Sequence, residues 1–220
     1  MKEQYFHKDS LAERVKEFLE QIEVFTHKNS PEFKPRSSAL LVLDMQAYFL
    51  ESSSHAFVPS SQAILPGIVS LVSVFTDRKL PVIFTQHINS PQDAGLMSTW
   101  WKDILTDTHP LSYISHKFDI SQGSLIVKSQ YDAFYKTPLE KLLKEQQVNQ
   151  VVICGVMTHL CCESTARSAF MRNFEVFFPI DGTATYNRQL HLSSLRNLAH
   201  GFASIVTMDS ILSAFHNHEH

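Results

Sequence analysis

From Ala39 onward, short β-branched apolar runs alternate with longer stretches of helical periodicity, and this alternation limits the possible folds more than any other feature. Parallel strands need long crossover connections, usually helical, so the pattern describes repeated βαβ units and a parallel sheet. The spacing predicts strands near 39–43, 82–86, 124–128, 150–155, 175–180 and 203–207, and helices near 61–78, 138–147, 162–173 and 189–200. A chain of 220 residues, 44% hydrophobic and 19% charged, suits a single α/β core.

Open α/β sheets place their chemistry at the carboxyl ends of strands. Three well-separated polar residues fall at such ends. Asp44 follows Ala39-Leu40-Leu41-Val42-Leu43, Lys128 follows Leu125-Ile126-Val127, and Cys161 comes shortly after Val151 to Val156. An acid, a base and a thiol are therefore expected at one sheet edge.

Ahead of the first strand, Ser10 and Glu13 form a capping-box signature, followed by Leu11, Val15, Phe18, Leu19, Ile22 and Phe25 at helical spacing. A helix from Ser10 to Thr26 is expected, then a loop from Lys28 to Ser38 containing Pro31 and Pro35. Residues 1–37 thus read as a helical extension packed on the sheet or on a second subunit. The stretch from His87 to Gly123 reads as a partly helical excursion over the sheet edge, where loops often cover active sites.

Charge and cysteine usage narrow the function. With 19 basic and 22 acidic residues the net charge is −3, and no basic cluster suggests nucleic acid. No apolar run nears the ~20 residues that cross a bilayer, and residues 1–30 lack the polarity of a signal peptide. A cytoplasmic protein with no nucleic-acid or membrane partner is expected. Its three cysteines, Cys154, Cys161 and Cys162, are too crowded for a disulfide framework and read as reduced thiols.

A helix starting at about Cys162 would put the Cys161 thiol at a helix N-terminus, where unpaired amides favour thiolate and face an oxyanion. Position alone fits a small core residue equally well. Asp44 precedes Met45-Gln46-Ala47-Tyr48-Phe49, so burial should raise its pKa and suit it to proton transfer. It also fits an Asp that satisfies turn amides, and Lys128 fits a solvated strand-end charge.

Leu43-Asp44-Met45-Gln46, Val127-Lys128-Ser129-Gln130-Tyr131-Asp132-Ala133-Phe134, and Gly155 through Ala166 resemble, in order and spacing, the three signature blocks of the isochorismatase-like cysteine hydrolases. The likeness runs from about Ser38 to Leu212 and marks 38–220 as the hydrolase domain. It implies a Rossmann-like three-layer α/β/α sandwich around a six-stranded parallel sheet. It also implies Cys161 as nucleophile, Asp44 as general base and Lys128 as the charge lowering the thiol pKa. A cis Val156–Met157 peptide would turn the Met157 and Cys161 amides into an oxyanion hole. The implied reaction is C–N bond hydrolysis of a small amide or ureido compound through a thioester.

Some features depart from that pattern. Family members that cleave the vinyl ether of isochorismate generally have glycine in place of Cys161, yet His159 and Cys162 resemble that branch, so Asp44-driven ether hydrolysis is the alternative. Nicotinamidases of the superfamily carry a metal-binding Asp-x-His where this chain reads Thr85-Gln86-His87. No metal or other cofactor is expected. His216, His218 and His220 read as a disordered polar tail.

Tyr48, Phe49, Trp100, Trp101, Tyr131 and Phe134 flank the catalytic segments, and aromatic residues often wall small-ligand pockets. Tyr48, Phe49, His87, Trp100, Tyr131 and Phe134 are the expected substrate contacts. Arg167 reads as a salt-bridge or interface residue. Two further possibilities are a non-catalytic binding protein and a cysteine hydrolase with His87 or His159 as base. The amphipathic first helix and the aromatic excursion suggest a homo-oligomer, dimer or tetramer.

Overall fold

The computed structural model describes residues 1–27 and 29–217. In chain order its helices and strands are α1 (Leu11–Ile22), β1 (Ser38–Leu43), α2 (Ala47–Leu50), α3 (Ser61–Asp77), β2 (Val82–His87), α4 (Met97–Trp100), β3 (Ser124–Lys128), α5 (Leu139–Glu145), β4 (Gln150–Val156), α6 (Glu163–Met171), β5 (Glu175–Pro179), β6 (Thr183–Ala184), α7 (Arg188–Gly201), β7 (Ser204–Val206) and α8 (Met208–Asn217).

All strand pairs are parallel, in the order β3-β2-β1-β4-β5-β7, with β6 added beside β4. Among the described residues the sheet has seven strands where six are expected, because the two-residue β6 is too short to leave a periodic trace. β1 and β4 are buried along their whole length, as expected for central strands covered on both faces. Helix α3 packs on β1, β2 and β4 and against α8, while α6 packs on β5 and against α7.

The chain leaves β1 toward β2 and β3 on one side and returns through β4 to β5 and β7 on the other. The carboxyl ends of β1 and β4 therefore flank the switch point where such sheets form a crevice. Register brings the strand ends level: Leu43 pairs with Thr85 and Gly155, and His87 pairs with Lys128. Gly155 has φ +120°, and a Cβ there would lie 2.1 Å from Leu43 O, so only glycine lets β4 approach β1 this closely.

The N-terminal helix forms, but without the expected cap. A 3-10 turn, Lys8–Ser10, leads into α1, so Ser10 lies inside the helical segment and its hydroxyl makes no capping bond. Helix α1 packs on α7, and Phe6, Phe18 and Tyr5 cluster around His191. Full burial of each such Phe contributes about 1.5–3 kcal/mol. His216 lies within α8, where its Nδ1 meets Leu212 O at 3.0 Å, so this part of the expected tail is ordered helix. His218 and His220 lie outside the described residues.

The excursion between β2 and β3 holds α4 and a 3-10 turn, Ile120–Gln122, and folds back on the segment after β1. Ala47 N–H donates to Tyr113 O, Tyr48 N–H to Leu111 O, and Ser115 N–H to Met45 O. It thereby roofs the edge where β1, β2 and β3 end. Among the described residues, no helix is long and apolar enough to cross a membrane.

Candidate active site

Asp44, Lys128 and Cys161 come together beyond the carboxyl ends of β1, β3 and β4, all three buried. Asp44 takes φ 52°, which turns the chain out of β1. Its backbone N–H donates to Thr85 Oγ1 at 3.1 Å, and that hydroxyl donates to Asp44 Oδ1 at 2.6 Å. Asp44 Oδ2 faces Lys128 Nζ at 2.8 Å, with both side chains closed to solvent. Lys128 Nζ donates to Gln130 O at 2.9 Å and to Cys161 Sγ at 3.4 Å. Lys128 thus bridges the Asp44 carboxylate and the Cys161 thiol.

This placement sets the protonation states. Burial alone would raise the Asp44 pKa, but the Lys128 ammonium and the other polar neighbours outweigh it and leave the carboxyl below its ordinary range. Burial would lower Lys128, yet Asp44 and Cys161 hold the ammonium above its usual value. Burial and Asp44 push the Cys161 thiol well up, against the opposing pull of Lys128. The resting site is thus carboxylate, ammonium and thiol. Two expectations are corrected: the Asp44 pKa is lowered, since an ion pair overrides burial, and the thiol pKa is raised, since burial and a neighbouring anion override the lysine.

Cys161 lies in a π-helical turn, Thr158–Cys162, that runs directly into α6. The helical segment therefore begins four residues earlier than the expected start at Cys162, and Cys161 sits within its first turn. The turn is braced from below, where Thr158 Oγ1 bonds Thr183 Oγ1 at 3.1 Å and meets His191 Nδ1 at 3.0 Å. Ahead of it, the Val156–Met157 peptide is cis, the isomer the resemblance implies.

The thiol faces a cavity of ≈ 290 Å³ with mainly apolar walls. Of the expected substrate contacts, Tyr48, Phe49, His87 and Tyr131 line it, together with Cys161 and Met157. Trp100 and Phe134 do not. Trp100, the last residue of α4, is 79% exposed, while the next indole, Trp101, turns inward and donates to Tyr131 OH at 2.7 Å. Consecutive residues leaving a helix point in different directions, so one indole walls the cavity and its neighbour faces solvent. Phe134 is buried behind the site, stacked on Phe174 at 6.0 Å and covered by the Arg172 guanidinium.

Gln46 locks the loop after β1. Its Oε1 accepts the His87 N–H at 2.8 Å, and its Nε2 donates to Ser112 O at 2.7 Å and His87 O at 3.1 Å. Asn89 Nδ2 donates to Ser129 O at 2.8 Å, which leaves Asn89 Oδ1 to accept from His87 Nε2 at 2.8 Å. Burial lowers the His87 pKa to about 4, so its ring is neutral near pH 7. His159 Nδ1 contacts Thr185 Oγ1 at 2.6 Å. Among the described residues, neither histidine hydrogen-bonds Cys161, and no group of three or more His, Cys, Asp or Glu is arranged to hold a metal. Arg167 pairs with Glu163 and covers the Phe202 ring.

Sequence reasoning missed Thr85, Asn89 and Leu160 among the residues shaping the site. Thr85 and Asn89 carried a usable signal, since they flank His87 at the end of a predicted strand.

Residues 38–210 match the family model described as the isochorismatase domain. A protein of Arabidopsis thaliana named nicotinamidase 3 is 39% identical over 191 residues, covering 84% of this chain and 91% of that protein. Enterobactin synthase component B of Escherichia coli is 31% identical, covering 83% of this chain and 65% of its own length. A solved structure described as a cysteine hydrolase from Pseudomonas syringae pv. phaseolicola superposes with a TM-score of 0.80 at 24% identity, covering 84% of this chain and 95% of the other. That last likeness speaks to the fold alone.

Proposed function

The chain belongs to the isochorismatase family of hydrolases, and within it we propose a cysteine-dependent enzyme that cleaves the C–N bond of a small amide or ureido compound. The observation that carries this reading is that Lys128 lies within hydrogen-bond distance of both Asp44 and Cys161, and that Cys161 lines an apolar cavity. Likeness to a protein named nicotinamidase supports an amide as the substrate class.

In this mechanism Asp44 takes the thiol proton as Cys161 Sγ attacks the carbonyl carbon, so a C–S bond forms and the carbonyl electrons move onto oxygen. The backbone amides of Met157 and Cys161 stabilise that oxyanion. As the tetrahedral intermediate collapses, the C–N bond breaks and Asp44 returns the proton to the departing nitrogen. Water, deprotonated by Asp44, then attacks the thioester, releasing the acid and restoring the thiol. Lys128 keeps Asp44 ionised and favours the thiolate as it forms. The reaction needs no metal or organic cofactor.

The vinyl-ether reading requires Asp44 to begin as an acid. A carboxyl held below its ordinary pKa by an adjacent ammonium is poorly suited to that role at neutral pH. Turnover of small amides, ureido acids and isochorismate by wild type and Cys161→Ala separates the readings. Amide or ureido cleavage lost in the variant supports the thiol mechanism, and ether cleavage that survives the substitution supports the alternative. Absence of turnover across the panel would favour a binding protein.

We also propose a homo-oligomer, a dimer or tetramer, supported by the exposure of Phe170 and Met171 at the end of α6.

A further inference from the structure

Residues 1–6 precede the matched domain, yet they are fastened to it at several points. Glu3 N–H donates to Tyr186 O at 2.7 Å, Asn187 Nδ2 donates to Met1 O at 3.1 Å, and Arg188 N–H donates to Glu3 Oε2 at 3.2 Å. Ser60 Oγ accepts the N–H groups of Tyr5 and Phe6 at 3.0 and 3.1 Å, and Tyr5 OH accepts the Thr185 N–H at 3.0 Å. The segment is thus tied down beside the cavity, with Lys2 in its lining.

Its consequence is the position of Lys2. The ammonium sits 4.6 Å from the centre of the Tyr186 ring and donates to His55 O. Lys2, His55 and Tyr186 all line the cavity whose floor holds Cys161.

Among the described residues no carboxylate lies within ion-pair distance of Lys2. Of the charged groups at the rim, Asp103 is 3.6 Å from His55 Nδ1, and Lys102 adds a second cation. Behind this rim the wall is apolar, built from residues such as Phe49, Trp101 and Leu105. An ammonium with donors to spare beside an apolar slot is suited to a ligand with a flat, apolar body and an anionic end.

We propose that Lys2 is a specificity residue that binds a carboxylate at the end of the substrate remote from the scissile bond. The substrate class, resting on the hydrolase reading above, is then a carboxylate-bearing amide or ureido acid.

The test reads binding rather than turnover, which keeps it separate from the catalytic assignment. In the full chain carrying Cys161→Ala, calorimetry compares 4-carbamoylbenzoate with its neutral counterpart terephthalamide, alone and with Lys2→Met or Lys2→Arg added. The expected result is tighter binding of the anion by about tenfold, abolished by Lys2→Met and largely kept by Lys2→Arg. Equal affinity for the two ligands, discrimination that survives Lys2→Met, or no binding of the anion would overturn the proposal. If the discrimination is present but wild type cleaves no amide, the amide-hydrolase reading fails while the anion subsite stands.

Discussion

Lys128 Nζ lies 2.8 Å from Asp44 Oδ2, with both side chains sealed from water. Removing one member of a buried pair leaves the other charge uncompensated and costs about 3–5 kcal/mol, whereas removing both can cost far less. Asp44→Asn and Lys128→Met should each lower unfolding free energy by roughly that amount, and the double variant by clearly less than their sum. Urea melts of the four proteins form the cycle. Additive losses would show that the pair is not coupled.

The same pair shapes the pH dependence of catalysis. As the base, Asp44 must be ionised, and its folded pKa lies below the ordinary carboxylate value, so activity is lost only as pH falls through that lowered pKa. Cys161 and Lys128 are both shifted upward, so neither titrates near neutrality. The profile of kcat/KM is expected to be flat from about pH 5 to about pH 9. An acid limb centred near pH 6.5 would point instead to a histidine base.

Stability should respond to acid at a higher pH than catalysis. Burial lowers the pKa of His87 to about 4 and that of His191 to about 3, against an ordinary value of 6.5. Between these limits the unfolded chain binds protons that the folded chain refuses, so stability is complete above pH 6.5 and declines as pH falls toward 4. Each group contributes up to about 1.4 kcal/mol per pH unit within its window. Thermal melts from pH 7 to pH 4.5 should show this slope, reduced in His191→Asn. An unchanged slope in that variant would remove His191 from the account.

Two adjacent indoles give a direct test of the cavity wall. Trp101→Ala should raise KM for the preferred substrate by about tenfold, because it removes a wall and the hydrogen bond to Tyr131 OH. Trp100→Ala, at an exposed position, should leave KM within about twofold. Equal effects would mean that the indoles exchange places in solution.

The arrangement of these residues was partly legible before any coordinates. The ends of β1 and β3 and the neighbourhood of Cys161 could be read because a run of apolar β-branched residues stops abruptly at a polar one. The choice between Trp100 and Trp101 could not, since it depends on the direction in which a one-turn helix releases the chain. Helix α8 left a readable trace, Met208, Ile211, Leu212 and Phe215 at helical spacing, which the neighbouring histidines obscured. Lys2 meets His55 across 53 residues of sequence, beyond the reach of local pattern. The resting charge states also lay outside sequence reasoning, because burial and an ion pair oppose each other there and only geometry decides between them.

The central claim, that Cys161 carries the acyl group, is tested most directly by intact-mass analysis of enzyme quenched during turnover of a cleaved amide, followed by peptide mapping. The account predicts a mass increase equal to the acyl group on Cys161, absent from Cys161→Ala, which should not turn the substrate over. Undiminished amide cleavage by Cys161→Ala would contradict it.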